Sequence, residues 1–315
     1  DSRGNTMIMK RKEEDTKALE KAYQDRVNAG KQRIRLCRGR LVSSFITDER
    51  ITALETFAHA DGDIWIATYP KSGTTWCQYV AYLLAGNEPN PDYALHMPWL
   101  EVGMLFDVPL ETLPEPQPGK LRLFKSHWWS ADHMLPNGKS RFIYIMRNGL
   151  DVALSFFHHT YAIRLYGYDG TLDHFFELFM EGDVDYGSWW QHCLGWWERS
   201  KRCDDTLFLH YEEMKAAPAA TFRRIANFMG ISATDERIEE LVSLTSVRTM
   251  RQLTESAPNH REQVRQHRKP DGASHIRNGI VGEAKQILSA SQRARFIQKC
   301  EREFSSSDIP WQQHL

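Results

Sequence analysis

The chain has little that would tie it to a membrane, a metal or a polyanion. Its five cysteines, Cys37, Cys77, Cys193, Cys203 and Cys300, are odd in number and scattered, without the spacing of a disulfide framework or a zinc site. No apolar run approaches the ~20 residues of a membrane-spanning helix, and the N-terminus opens on polar and charged residues rather than a signal-peptide core. Neither charge dominates: lysine plus arginine total 40 against 41 for aspartate plus glutamate. No global field therefore draws nucleic acid or an anionic membrane, and any anion site has to be local. There is no internal repeat and no low-complexity tract. These absences predict a cytoplasmic protein with neither nucleic-acid nor membrane partner. Because Asp1 is not methionine, Met7 or Met9 is a candidate native start.

What is present is enough to build a large core. The 315 residues are 41% hydrophobic and 26% charged, which suits one large domain or two closely packed ones. Residues 10–35 are dense in helix formers with opposite charges at helical spacing, which predicts a solvated helix. Residues 1–35 are accordingly read as an N-terminal extension, helical or partly disordered, and 36–315 as the folded domain. DIWIATY (63–69) is a β-rich run ending at Pro70, followed by helical spacing in TTWCQYVAYLLAG. Residues 87–118 carry many prolines and turn residues and predict an irregular excursion bordering a site. Further strands are expected at LRLFKS (121–126), RFIYIMR (141–147) and TLFLHY (206–211), with a helix from about Leu150. Helices are expected to dominate 212–256, with a long loop over 255–285 and a last helix near 289–303. Apolar strands alternating with helices predict an α/β fold, a central parallel sheet flanked by helices.

Three segments carry candidate chemistry. Tyr69-Pro70-Lys71-Ser72-Gly73-Thr74-Thr75-Trp76 joins a strand to a helix, where free amides and the helix dipole favour an anion. Its lysine precedes the glycine, so it is not the GxxxxGK[ST] loop of magnesium-dependent nucleotide hydrolases. By itself it can equally be a polar turn capping a helix. Lys125-Ser126-His127 ends the next strand, and a histidine there can act as general base beside a charge-stabilising lysine. A lone histidine is also often structural. Arg147-Asn148-Gly149-Leu150-Asp151-Val152-Ala153-Leu154-Ser155 follows the third strand, with Arg147 and Ser155 spaced to share one phosphate, or simply to cap a strand and sit in a helix.

Taken in order, these motifs resemble the cytosolic sulfotransferase family, whose signature YPKSGTTW is present in full. The resemblance runs over roughly residues 41–304. It implies a single-domain, P-loop-related fold that binds 3′-phosphoadenosine-5′-phosphosulfate (PAPS), releases adenosine-3′,5′-bisphosphate (PAP) and needs no metal. It implies that Lys71 contacts the bridging region of PAPS, Ser72, Gly73, Thr74 and Thr75 its 5′-phosphate, and Trp76 one face of adenine. His127 takes the role of catalytic base in a Lys-Thr-His pattern, here with Ser126, and Lys125 and Lys71 stabilise the transferring group. RNxxDxxxS assigns Arg147 and Ser155 to the 3′-phosphate. Tyr211, Thr245, Ser246, Val247 and Met250 match adenine-side positions, with Val247 where the family has phenylalanine. Arg277, Asn278 and Gly279 match the Arg-Lys-Gly of the last clamp, with asparagine for lysine and Ala284 for a later tryptophan, which predicts weaker PAPS binding or compensation from Arg268, Lys269 or His275. Trp189, Trp190, Trp196 and Trp197 read as packing.

The expected reaction is in-line sulfuryl transfer to a small-molecule hydroxyl or amine, His127 taking the proton. The competing readings are a non-catalytic PAPS- or nucleotide-binding protein and a P-loop kinase of a small metabolite. Candidate acceptor segments are Leu95–Phe106, Phe156–His159 with Tyr161, and Tyr166–Tyr168; His158, His159, Glu101 and Asp107 can serve a polar or cationic acceptor. The family's KxxxTVxxxE dimer motif falls on Lys285, Ser289, Ala290 and Ala294, where only the lysine survives, so a monomer or a different dimer is expected.

Overall fold

Four short apolar strands form the frame on which everything else is hung. The computed structural model describes residues 33–105, 113, 116–117, 119–130, 140–256 and 267–314. An antiparallel ribbon of β1 (Ile34–Cys37) and β2 (Arg40–Ser43) leads into helix α1 (Asp48–Glu55). The sheet consists of β3 (Asp63–Thr68), β4 (Arg122–Ser126), β5 (Arg141–Met146) and β6 (Thr206–His210), all parallel, in the order β4-β3-β5-β6. Helices α2 (Thr74–Leu84), α3 (Gly149–Ala162), α4 (Leu172–Glu181), α5 (Trp189–Arg202), α6 (Tyr211–Ala216), α7 (Pro218–Met229), α8 (Asp235–Leu244), α9 (Val247–Ser256), α10 (Ala284–Ile287) and α11 (Ala290–Glu303) surround it. This is the expected α/β architecture. Among the described residues no helix is long and apolar enough to cross a membrane.

Period-2 alternation within the strands sorts the core into two layers. Trp65, Ala67, Phe124, Phe142 and Tyr144 face one side, where they meet Phe156, Phe175, Trp190, Trp196 and Phe296 from α3, α4, α5 and α11. Ile64, Ile66, Leu123, Ile143, Ile145 and Leu209 face the other, against α2, α7 and α8. Burial on both faces explains why the strands read as continuous apolar runs. Tyr144 stacks on Trp196 with ring centroids 5.2 Å apart, a contact worth roughly 0.5–1.5 kcal/mol beyond its buried area. Trp189, Trp190 and Trp196 are buried in this layer, while Trp197 is only partly covered and donates to Asp308.

The helix ends follow local chemistry. Thr47, Asn148, Thr171, Ser188, Thr234 and Ser289 each accept a backbone N–H from the first turn of their helix. The last helix runs Ala290–Glu303, starting one residue later than expected because Ser289 is its cap. Of the helix expected over residues 10–35, positions 10–32 lie outside the described residues, and Ile34 and Arg35 are in β1. Ile34 and Arg35, expected in the extension, thus belong to the ribbon, and Arg38 and Gly39, both with positive φ, form the turn that lets Cys37 pair with Arg40. Residues 268–283 contain no helix or regular strand, as expected for a long loop; 257–266 lie outside the described residues.

Candidate functional site

Strand register fixes the site. Thr68 pairs with Ile145, Ala67 with Ser126, and Met146 with His210, so the C-terminal ends of all four strands lie on one edge of the sheet. The residues that follow them are Tyr69 and the loop to Trp76, then His127, Arg147 and Tyr211. A cavity of about 440 Å³ opens along this edge, the usual ligand position in an open parallel sheet. Of the expected site residues, Lys71, Gly73, Thr74, Thr75, Trp76, Lys125, His127, Arg147, Ser155, Tyr211, Thr245, Ser246, Val247, Met250, Arg277, Asn278 and Gly279 all line it. Ser72 sits just behind, fully buried.

The loop before α2 is set by two unusual backbone positions. Lys71 has φ 68 and Gly73 φ 102, and a Cβ on Gly73 would come within 2.7 Å of the Tyr211 ring. Only glycine fits there, and the turn leaves the first amides of α2 pointing at the cavity. Lys71 Nζ donates to the His275 carbonyl at 3.4 Å. Burial, then the nearby Lys125, Arg147, Arg268 and Arg277, pull its pKa down to about 7. Lys125 Nζ lies 3.6 Å from the centroid of the Trp99 ring, and burial lowers its pKa to about 8.

His127 is 5% exposed and held on both sides. Its backbone N–H donates to Glu101 Oε1 (3.0 Å), which also accepts from Ser126 Oγ, while its carbonyl meets His192 Nε2 at 3.0 Å. Nδ1 lies 2.8 Å from the Thr68 carbonyl. A carbonyl only accepts, so Nδ1 carries the proton and Nε2 is the ring's acceptor. Burial, then Lys125, hold the imidazole neutral, its pKa well below the usual range. Trp99 and Tyr186 pack their rings against it at 5.0 and 5.3 Å.

Arg147 spreads its guanidinium over the Tyr211 ring (4.4 Å) and donates to the carbonyls of Lys71 (3.3 Å) and Ile280 (3.1 Å). Asp151, four residues on, lies 3.7 Å from it and accepts the backbone N–H groups of Gly282 (2.7 Å) and Ala284 (3.0 Å). This buried carboxylate is what brings the C-terminal loop across to α3. Within that loop Arg277 pairs with both oxygens of Glu283 at 2.5 Å, and Asn278 donates to the same carboxylate at 3.1 Å. Gly279 has φ 61, and a Cβ there would stand 2.9 Å from Val247. The position occupied by phenylalanine in the family is thus a small side chain with the C-terminal loop packed onto it.

Several expectations about the rim change. Glu101 is buried under β4 as an anchor for Ser126 and His127, not an acceptor group of the cavity, because desolvation would be prohibitive without those bonds. Phe156 and Tyr168 belong to the core, and Tyr161 bonds Asp271 at the surface. His159, Tyr166, Met97 and Trp99 do line the cavity; His158 does not; Phe106 and Asp107 lie outside the described residues. His275 and Arg268 are in the cavity wall, whereas Lys269 is engaged with the Tyr168 carbonyl and the Tyr161 ring. The role of Asp151 in holding the C-terminal loop was missed; only its pairing with Arg147, an acid four residues after a strand-end arginine, is a signal that sequence carries.

The fit to an anionic nucleotide can be tested on the polar atoms left over. Ser72 Oγ, Trp76 Nε1, Arg147 Nε, Thr245 Oγ1 and Arg277 Nε are buried with no hydrogen-bond partner among the described residues. All five are donors on expected site residues, and buried donors without partners are rare. Together with the mutual repulsion of Lys71, Lys125, Arg147, Arg268 and Arg277, they fit a multiply charged anion with a flat heterocycle.

Residues 61–308 match the sulfotransferase domain family. Amine sulfotransferase of Oryctolagus cuniculus is 30% identical over 250 residues, covering 77% of this chain and 81% of that protein. Sulfotransferase 1A1 of Rattus norvegicus is 34% identical over 266 residues, covering 79% and 86%. A mouse sulfotransferase solved in complex with PAP superposes with a TM-score of 0.70 at 28% identity, over 88% of this chain and 95% of that one.

Proposed function

The chain belongs to the sulfotransferase family and is a PAPS-dependent enzyme, and from that premise we propose that it acts on small-molecule acceptors with His127 Nε2 as the general base of sulfuryl transfer. The observation that carries this is the 2.8 Å contact of His127 Nδ1 with the Thr68 carbonyl, which puts the proton on Nδ1 and leaves Nε2 as the acceptor of a ring that lines the cavity. Bound PAPS supplies the sulfuryl group. Lys71 and Lys125 neutralise charge on the transferring group and on the 5′-phosphate, aided by Ser72, Gly73, Thr74, Thr75 and the first amides of α2. Arg147, Ser155, Arg277, Asn278 and Gly279 hold the 3′-phosphate. Trp76, Tyr211, Thr245, Ser246, Val247 and Met250 surround adenine. These cations do the neutralising that magnesium does in nucleotide kinases, so the reading includes no catalytic metal.

The acceptor side favours a neutral aromatic or apolar hydroxyl compound over a cationic amine. Trp99, Tyr186, Tyr166 and Phe45 give it an apolar wall, the charged groups of the cavity are lysines and arginines apart from Glu283, and Glu283 is spent on Arg277. The protein is read as cytosolic, since its cysteines are free thiols and mostly buried. The usual C-terminal dimer contact is read as absent: Ser289 is committed to capping α11.

The test is a transfer assay with PAPS over phenols, alcohols and amines in the presence of a chelator, beside calorimetry with PAP. Transfer to phenols or alcohols at undiminished rate supports the reading. PAP binding without transfer to any acceptor would favour a non-catalytic binding protein, and phosphoryl transfer from ATP that requires magnesium would favour a kinase.

A further inference from the structure

Beside the cavity but not lining it, three metal-ligating side chains converge at the C-terminal end of β6. His210 is its last residue, Glu212 lies in the first turn of α6, and His314 is in the C-terminal turn Gln312–His314. Their donor atoms all lie within 4.8 Å of one another, the only such group of three among the described residues. The rings of His210 and His314 stack at 3.9 Å. Four polar atoms here are buried without a hydrogen-bond partner: His210 Nδ1, His210 Nε2, Glu212 Oε2 and His314 Nε2. His210 is 4% exposed, so neither of its nitrogens has water to turn to.

The surroundings already orient these groups. The Asn148 backbone N–H donates to Glu212 Oε1 at 2.9 Å, which turns Oε2 toward the histidines. Asn148 Nδ2 donates to the His314 carbonyl at 2.8 Å and fixes the C-terminal turn over β6. Arg224, a cation near His210, is paired with Glu213, whose other oxygen stands 4.0 Å from His314 Nε2. Bonds held by second partners are how proteins aim metal ligands.

We propose that His210, Glu212 and His314 bind one divalent transition-metal ion of the zinc class, in a structural site separate from the sulfuryl-transfer cavity. Two imidazoles and a carboxylate suit zinc, cobalt or nickel and not the oxygen-preferring calcium or magnesium. A tetrahedral ion with bonds of ~2.1 Å places its ligand atoms ~3.4 Å apart, so donor atoms now within 4.8 Å must draw together on binding, and because an imidazole binds a metal in its ring plane the His314 ring must turn out of its stack on His210. The ion would tie the C-terminal turn to the end of β6, beside Tyr211, and through Glu212 to Asn148, the residue next to Arg147.

The full chain, stripped with a chelator, is titrated with Co2+ and then Zn2+. Expected are the visible d–d bands of four-coordinate cobalt saturating at a single ion per chain, their loss on adding zinc, and a higher unfolding temperature with metal bound. His314→Ala leaves β6 and α6 intact and should weaken binding by at least about tenfold, and Glu212→Gln likewise. Absence of the bands in the wild-type chain overturns the proposal, as does a His314→Ala chain that binds cobalt as tightly as the parent.

Discussion

The Lys71–Trp76 loop and the Arg277–Gly282 loop face each other across one cavity, yet they are held there by different means. The first is clamped by the fold. It continues directly from β3, its turn is fixed by positive φ at Lys71 and Gly73, and the groups around it are nearly all buried. The second has no strand or helix of its own. Asp151 accepts its last amide, Gly282, together with that of Ala284 at the start of α10, Arg147 holds the Ile280 carbonyl, and Glu283 occupies Arg277 and Asn278. Ile280 and Val281 within it are 51% and 43% exposed. One side is therefore preorganised for chemistry, and the other is a strap held by side chains, with Asp151 the carboxylate that ties it to α3.

The sharpest division between the two sides is expected from His127→Ala. Turnover should fall by about 10²–10⁴, while PAP affinity measured by calorimetry stays within a few-fold. A retained rate removes histidine from the mechanism. Next in size, Asp151→Asn keeps the volume but gives up the charge and one acceptor of the strap. PAP affinity should drop by about ten- to a hundredfold, in line with the 1.5–3 kcal/mol of a charge-assisted hydrogen bond, and amide exchange at residues 277–284 should rise. If exchange there is unchanged, the strap is held by something else.

A pH measurement isolates the buried side. Lys71, with its pKa pulled to about 7, is mostly neutral at pH 8 in the free site, and a bound anion favours its charged form. PAP binding at pH 8 should then take up protons, read as a dependence of the calorimetric enthalpy on the buffer. Uptake should shrink below about pH 6, where the lysine is already charged, and affinity should fall as pH rises from 7. Lys71→Met should remove that share of the uptake and leave only what Lys125 and the phosphates contribute. The smallest effect is on the strap: Asn278→Lys restores the charge that the family pattern places there. Because the side chain is exposed, PAP should bind only about three- to tenfold tighter, less than a buried charge-assisted bond would give.

The same division marks what could be read from sequence. The buried side was legible because each of its residues lies within three positions of a strand end: Lys71 after β3, His127 after β4, Arg147 after β5. The runs DIWIAT, RLFKS and RFIYIM announce themselves by their apolar content, and their chemistry is contiguous. The strap was legible only as a pattern of residues. That Asp151 reaches across 131 positions to Gly282 is decided by tertiary packing and leaves no local trace. Glu101 failed for a related reason, since an acid 25 residues from Ser126 gives no sign that it will be buried beneath it. The β1–β2 ribbon went unseen because helix-forming charge pairs precede it and only four residues on each side make the ladder.

The strand register has a further consequence, for how the enzyme tolerates change in its own length. Every residue at the sheet edge owes its height to a count of peptide units, each about 3.3 Å. Deleting one residue inside β4 would lower His127 by that amount and turn it to the opposite face of the sheet. Lengthening the segment between α2 and β4 would move nothing in the ladder. The sheet works as a ruler, and the active site is what is written at its common mark.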